Sequence, residues 1–268
     1  SQAPVNGKIA INRGRRYCTN PQVKVSMFAQ GATDILLYNG EDSTNAKWQP
    51  YKEIIEWSLN KEENEHIVSV KFRDKAGNIS KVYTDDIILD TAPPYDLAMS
   101  INKGDSLTNN PNKRVIVKVK ATNAYEMLIG GTPTFKGARW RNYSGLNIPY
   151  TLSGNDGLKE IFAVFRDSAG NVSDTISSKI LLDRTPPVMG TVAIKEGNGG
   201  TNRQNVTLTL AATGAVKMML GNTVDFIGGQ WEPFKTTRNW VLVGQNGLKT
   251  IFVRFKDAAG NQSKIAFD

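Results

Sequence analysis

Nucleophilic catalysis needs a base beside a hydroxyl or thiol, and this chain carries one histidine, His66, and one cysteine, Cys18. His66 lies in Glu62-Glu-Asn-Glu-His66 and reads as a surface loop residue; Cys18 reads as a stray thiol. A lone cysteine cannot close an internal disulfide, and so few Cys and His residues cannot make a zinc set. Glycoside chemistry asks for two carboxylates across one cleft. Glu53 and Glu56 are neighbours, but no long loop is expected to wall a cleft, so they read as a solvated face. The Gly-rich stretch Glu196-Gly-Asn-Gly-Gly200 reads as a strand-connecting loop, without the Gly-x-x-x-x-Gly-Lys-Ser/Thr spacing of a phosphate loop. No catalytic residue is assigned, and an enzyme is not expected.

Two groups could hold a ligand. Trp48-Gln-Pro-Tyr51, Trp140-Arg-Asn-Tyr143 and Trp231-Glu-Pro-Phe234 share a Trp-x-x-Tyr/Phe spacing. Exposed rings can stack on sugars, and basic neighbours can hold acidic glycans. Arg139, Trp140, Arg141 and Tyr143 combine both features, so these four, with Trp48 and Trp231, are the candidate binding residues. The competing reading is packing, because an aromatic at one place in every copy is what a core position produces. Calcium is the second case. Asp85, Asp86 and Asp90 lie close in sequence, with Asp96 and Asp105 beyond them and Asp74 and Asn78 able to approach. Calcium wants six to eight oxygens, and this spacing is not diagnostic. The alternative is that Asp90 and Asp183 fix turns ahead of Pro-stiffened linkers. No other cofactor is expected.

The elements that position these residues come as a repeat. Val68-Ser-Val-Lys-Phe-Arg-Asp-Lys-Ala-Gly-Asn78 recurs as Ile161–Asn171 and Ile251–Asn261, with Asp74, Asp167 and Asp257 spaced by 93 and 90 residues. Thr19-Asn20, Thr108-Asn109 and Thr201-Asn202 are matched before a strand-like run. A second aromatic follows each Trp motif at Trp57, Tyr150 and Trp240. Ile88-Leu-Asp-Thr-Ala-Pro-Pro94 and Leu181-Leu-Asp-Arg-Thr-Pro-Pro187 mark boundaries, giving modules 1–93, 94–186 and 187–268. Asp268 lies only 7 residues past Asn261, so the last strand of the third module is expected to be short or truncated.

Each run alternates with period 2. Val68, Val70 and Phe72 share one face while Lys71 and Arg73 take the other; Val23, Val25 and Met27 alternate with Lys24 and Ser26. A sheet with one dry face must pack against another. In the Asp-x-Ala-Gly-Asn turns, Asp74, Asp167 and Asp257 hydrogen-bond the backbone. Gly77, Gly170 and Gly260 supply the positive φ, and Asn78, Asn171 and Asn261 close the turn. The sequence predicts an all-β chain of three tandem immunoglobulin-like (fibronectin III-like) β-sandwiches in an extended array.

Composition agrees: 40% hydrophobic and 22% charged residues describe a folded chain. The net charge of +8 is spread thinly, with the first module neutral and the others +4 each. That is a solvated surface without the basic stripe of a nucleic-acid binder, so no specific nucleic-acid partner is expected. No apolar run approaches a membrane span, so no membrane insertion is expected. The start, Ser1-Gln-Ala-Pro4, lacks an apolar h-region, which fits an excised fragment or a protein assembled without secretion.

Lys249-Thr-Ile-Phe-Val-Arg-Phe-Lys-Asp-Ala-Ala-Gly-Asn-Gln-Ser263, together with Trp231-Glu-Pro-Phe234, Trp240 and the Leu-Asp-x-Thr-x-Pro ends, resembles a group of bacterial immunoglobulin-like repeats. Those occur in large bacterial surface proteins and adhesins, beside polysaccharide-acting enzymes, and in phage tail and capsid-decoration proteins. The resemblance covers the whole chain. It implies a spacer, display arm or receptor contact at a cell surface or on a virion. The implied partners are a cell-surface polysaccharide or surface protein, and other domains of the same assembly. A carbohydrate-binding accessory region of a larger surface enzyme is the alternative.

Overall fold

Alternating side chains set the two sheets of each module. A computed structural model describes residues 2–145, 147–196 and 199–268; Ser1, Leu146, Gly197 and Asn198 lie outside the described residues, so the loop expected at Glu196–Gly200 falls partly outside them. The first group of strands is β1 (Val5–Ile11), β2 (Tyr17–Cys18), β3 (Gln22–Gln30), β4 (Asp34–Asn39), β5 (Trp48–Pro50), β6 (Ile54–Ser58), β7 (Glu65–Arg73) and β8 (Tyr83–Leu89). The second is β9 (Tyr95–Ile101), β10 (Leu107–Thr108), β11 (Arg114–Thr122), β12 (Glu126–Gly130), β13 (Arg141–Asn142), β14 (Ile148–Thr151), β15 (Gly157–Arg166) and β16 (Ile176–Leu182). The third is β17 (Val188–Ile194), β18 (Asn205–Thr213), β19 (Lys217–Gly221), β20 (Glu232–Pro233), β21 (Thr237–Val241), β22 (Phe252–Lys256) and β23 (Ala266–Phe267).

In every group a three-stranded sheet accompanies a larger one. The orders are β1-β3-β6 with β2-β8-β7-β4-β5, β9-β11-β14 with β10-β16-β15-β12-β13, and β17-β18-β21 with β20-β19-β22-β23. The apolar faces predicted from alternation meet between the sheets. Val23, Val25, Val68, Val70 and Phe72 are among the buried residues of the first core. Phe72, Phe165 and Phe255 are fully buried in the three cores. Burying each such ring contributes roughly 2–3 kcal/mol relative to exposure. Each hydrophobic cluster draws its residues from one group of strands only. The chain is therefore a tandem array of three β-sandwiches, each with its own core.

Two expectations change in detail. His66 is not a loop residue: it sits in β7, 8% exposed, with Nε2 2.7 Å from the Glu62 carbonyl oxygen. Period-2 alternation puts it on the same face as Val68 and Val70. The Thr-Asn pairs are not equivalent positions. Asp90 N donates to the Cys18 carbonyl and Asp183 N to the Thr108 carbonyl, so Thr108 occupies the place of Cys18, one residue out of the predicted register. Burial sets this register: Cys18 and Thr108 both point inward, 7% and 9% exposed, while Thr19 is exposed. Glu56, read as a solvated face, is 3.4 Å from Lys24 and well exposed.

In the third sandwich β23 has two residues where β8 and β16 have seven.

Candidate functional site

The second and third Asp-x-Ala-Gly-Asn turns are connectors. Asp167 Oδ1 accepts the backbone N–H groups of Gly170 and Asn171 at 2.7 and 2.9 Å, and Oδ2 accepts Asn171 Nδ2 at 2.9 Å. Gly170 has φ 103°, where a side chain is strained. The same Asn171 Nδ2 also donates to the Asp90 carbonyl oxygen, 2.8 Å away in the linker before the module. Asn261 repeats the arrangement with Asp257 Oδ2 and the Asp183 carbonyl, both at 2.9 Å. Asp167 and Asp257 are 3% and 8% exposed, which marks these turns as covered surfaces. The first turn closes on its Asp in a similar way, with Ala76 N in place of the glycine N–H and Asn78 N on Asp74 Oδ1, and Gly77 at φ 88°.

The linkers are fixed from their own side as well. Asp90 Oδ1 accepts Ala92 N, and Asp183 Oδ1 accepts Thr185 N, each a local turn ahead of the proline pair. Pro94 and Pro187 are buried. Glu63 takes the Thr91 hydroxyl and backbone N–H at the first linker. Asp156 takes Arg184 N and Nε, both at 2.7 Å, at the second. Burial pushes the Asp90 carboxyl above its ordinary range, with Asp167 and Glu63 adding repulsion. Asp156 is held low by the Arg184 backbone N–H and guanidinium.

This geometry accounts for the calcium candidates without a metal. Asp85 Oδ2 accepts Ile11 N at 2.7 Å and ties β8 to β1. Asp86 is the next residue on the strand and points to the opposite face. Asp96 occupies a positive-φ position, 52°, where the β9–β11 register shifts. Asp90 is engaged in its own turn. The calcium candidates therefore do not converge, and no group of three His, Cys, Asp or Glu side chains among the described residues is placed to hold a metal ion. Cys18 is buried, and desolvation raises its thiol pKa away from thiolate chemistry.

The Trp-x-x-Tyr/Phe motif divides between two environments. Tyr51, Tyr143 and Phe234 pack on the cores, and stand 6.3, 5.6 and 5.7 Å from Phe72, Phe165 and Phe255. Tyr143 is thus a packing residue, with its hydroxyl accepting Ala121 N at 3.0 Å. The Trp rings are half-buried beneath a cation from β7, β15 or β22, reached across the intervening strand β4, β12 or β19. Arg73 lies 4.5 Å over Trp48, Arg166 4.4 Å over Trp140, and Lys256 3.9 Å over Trp231. Each contact takes one π face and contributes about 0.5–1 kcal/mol. Arg139 and Arg141 remain exposed on either side of Trp140. The predicted aromatic-basic stretch is therefore not one surface: its cations face solvent and its rings are largely used by the fold.

A cleft appears where none was expected. In the third module Trp240, Asn222, Gln230, Glu232, Arg238 and Ile227 line a cleft of about 340 Å³, walled by the loop between β19 and β20. Trp240 packs on the core from one side and donates its indole N–H to Asn222 Oδ1 at 3.0 Å. Arg238 Nε meets Glu232 Oε1 at 2.9 Å, with the two side chains 40% and 32% exposed. A larger hollow, about 480 Å³, is bounded by Glu196 and Gly200–Arg203 and has no aromatic wall. The cleft could have been suspected only by setting the three copies side by side at Arg238.

No protein-family model matches the chain, and no curated protein matches it. Solved structures similar to it include tandem fibronectin III modules. The Clostridium thermocellum CbhA fibronectin(III)-like modules match at TM-score 0.42 and 8% identity, over 65% of this chain and 94% of that one. The chicken CNTN1 FN1-FN3 domains match at 0.34 and 10%, over 100% and 98%. The central fibronectin-III array of RIM-binding protein matches at 0.26 and 11%, over 98% and 96%. The fold of the present chain rests on its own strand pairing.

Proposed function

We propose that this chain is a non-catalytic tandem immunoglobulin-like arm of a surface-exposed or phage virion protein. It acts as a spacer and display module and contributes to attachment to a cell surface, through a surface polysaccharide or surface protein. The observation that supports this reading most is the repeated junction. A turn asparagine of one module donates to the linker carbonyl of the module before it at 2.8 and 2.9 Å, so neighbours are held by a device built into the repeat. A spacer needs held neighbours; an independent set of binding beads does not. Separate cores and thinly spread positive charge fit the same role.

The test is binding of the fluorescently labelled chain to intact bacteria and to their purified surface polysaccharide, at low and high salt. Saturable binding that persists at high salt is the expected result, because screening removes only loose charge attraction. Absent or purely salt-sensitive binding would remove attachment from the reading. Residual dipolar couplings that fit each module only with its own alignment would remove the spacer.

A further inference from the structure

The three modules use the same strand positions for different side chains at one place. Val23, Val115 and Val206 pair with Trp57, Tyr150 and Trp240, so these three aromatics are equivalent. Two residues earlier stand Ile55, Ile148 and Arg238. Ile148 is 5% exposed, and Ile55 packs on the first core. Only the third module puts a guanidinium at this core-edge position. Across from it, the residues pairing with Ile35, Met127 and Met218 are Gln49, Arg141 and Glu232. Only the third module supplies a carboxylate to meet the cation.

Two further differences lie at the same cleft. The first module has a Trp57–Asn39 bond like that of Trp240 and Asn222, but with Ile55 beside it. In the second, Gly131 replaces the asparagine and Tyr150 approaches to within contact of where its Cβ would lie. At the loop tip, the second module has Lys136 and the third has Ile227, 79% exposed. The third module alone therefore combines a Trp wall, an amide, a matched ion pair and an apolar rim.

We propose that this cleft binds a neutral saccharide of one or two rings, with Trp240 as its platform. The chemistry follows from the lining. A pyranose offers C–H bonds on one face, which suit the negative π face of an indole. Its hydroxyls both donate and accept, which suits a carboxylate, a guanidinium and two amides converging on one space. The Arg238–Glu232 pair cancels its own charge, so the cleft does not select an anion. About 340 Å³ is at the small end of ligand sites, which limits the occupant to a short oligosaccharide or its end. This deepens the attachment reading and rests on it for its biological use.

The experiment follows the indole N–H resonances of the ¹⁵N-labelled three-module chain. Methyl glycosides of glucose, galactose, mannose and N-acetylglucosamine are each added to about 50 mM, enough to saturate a millimolar site. Sodium glucuronate is the charged control. The expected result is a saturable shift of the Trp240 indole with at least one neutral glycoside, the other four Trp indoles staying still. Arg238→Ile should weaken that binding about tenfold or more by removing charge-assisted bonds. That variant carries the residue the other two modules use, so it should fold; if its spectrum is not native, Gln230→Ala in the exposed loop takes its place with the same expectation. No saturable shift with any neutral glycoside, a shift with glucuronate alone, or unchanged affinity in a folded variant would overturn the proposal. Cell binding by a chain whose Trp240 indole ignores every sugar would sink the cleft and leave attachment standing. Saccharide binding without cell binding would do the reverse.

Discussion

The wall beside Tyr150 in the second module and the wall beside Trp240 in the third occupy the same strand positions, yet one is closed and the other open. In the second, Ile148 is buried, Arg141 faces solvent and the Tyr150 hydroxyl lies over Gly131. In the third, Arg238 and Glu232 form a half-exposed pair below the Trp240–Asn222 bond. What recurs in all three modules serves the fold: the buried Phe, the Trp under a cation, the closed turn. What departs in one copy is where a site can be built, because the other two copies show that folding does not require it.

The comparison breaks most severely by transferring the cation. Ile148→Arg places a charge at a buried position beside Arg141, with no carboxylate to meet it. A loss of about 3–5 kcal/mol is expected in urea unfolding of the second module. Adding Arg141→Glu should recover a large part of it, because it recreates the pair of the third module. If Ile148→Arg alone is tolerated, the position is not a core edge and the contrast between modules fails.

A smaller effect is expected at the connectors. Asn171→Ala removes the bonds to Asp167 Oδ2 and to the Asp90 carbonyl, leaving Asp167 buried with less to accept. The second module should lose about 1–3 kcal/mol. Amide relaxation should show the first two modules reorienting independently while the second junction is unchanged. Equal loosening of both junctions would mean that the coupling is not local.

The smallest effect separates the two junctions by pH. Asp90 is raised by burial, so it holds its proton more tightly folded than unfolded. Its contribution is full below the unfolded pKa and is lost as pH rises through the folded value. Asp156 is lowered by Arg184, so its contribution is present above the unfolded pKa and is lost as pH falls through the folded value. Acidification from about pH 5 to about pH 2 should therefore release the Arg184 amide while the Ala92 amide stays protected. Both carboxyls are partly exposed, so the change belongs to hydrogen exchange and chemical shift, with little trace in global stability. Parallel behaviour of the two amides would erase the distinction.

The sequence made the sandwiches legible because burial enforces period 2: the Val68-Val70-Phe72 face could only point inward. It also showed the turns, since Gly77, Gly170 and Gly260 need positive φ. It did not show that Asn171 and Asn261 reach out of their modules, because no local pattern distinguishes a turn residue's second bond. The cation over each Trp was within reach: Arg73, Arg166 and Lys256 each precede the turn Asp, as repeated as the Trp itself. Arg238 was obscured in part because Trp140 to Tyr150 is one residue longer than Trp48 to Trp57 or Trp231 to Trp240, which sets Asn147, not Ile148, opposite it when the copies are counted from the first Trp. His66 was misread because a run of polar neighbours outweighed the alternation that buries it.

The connector has one more property. Its donor, the turn asparagine, and its acceptor, the carbonyl of the closing aspartate, are both encoded within every complete repeat. A gene that duplicates, deletes or reorders such units copies both halves of the joint each time. Any unit then presents the matching half to whichever neighbour it receives, so the length of the array can change without a new interface having to be invented.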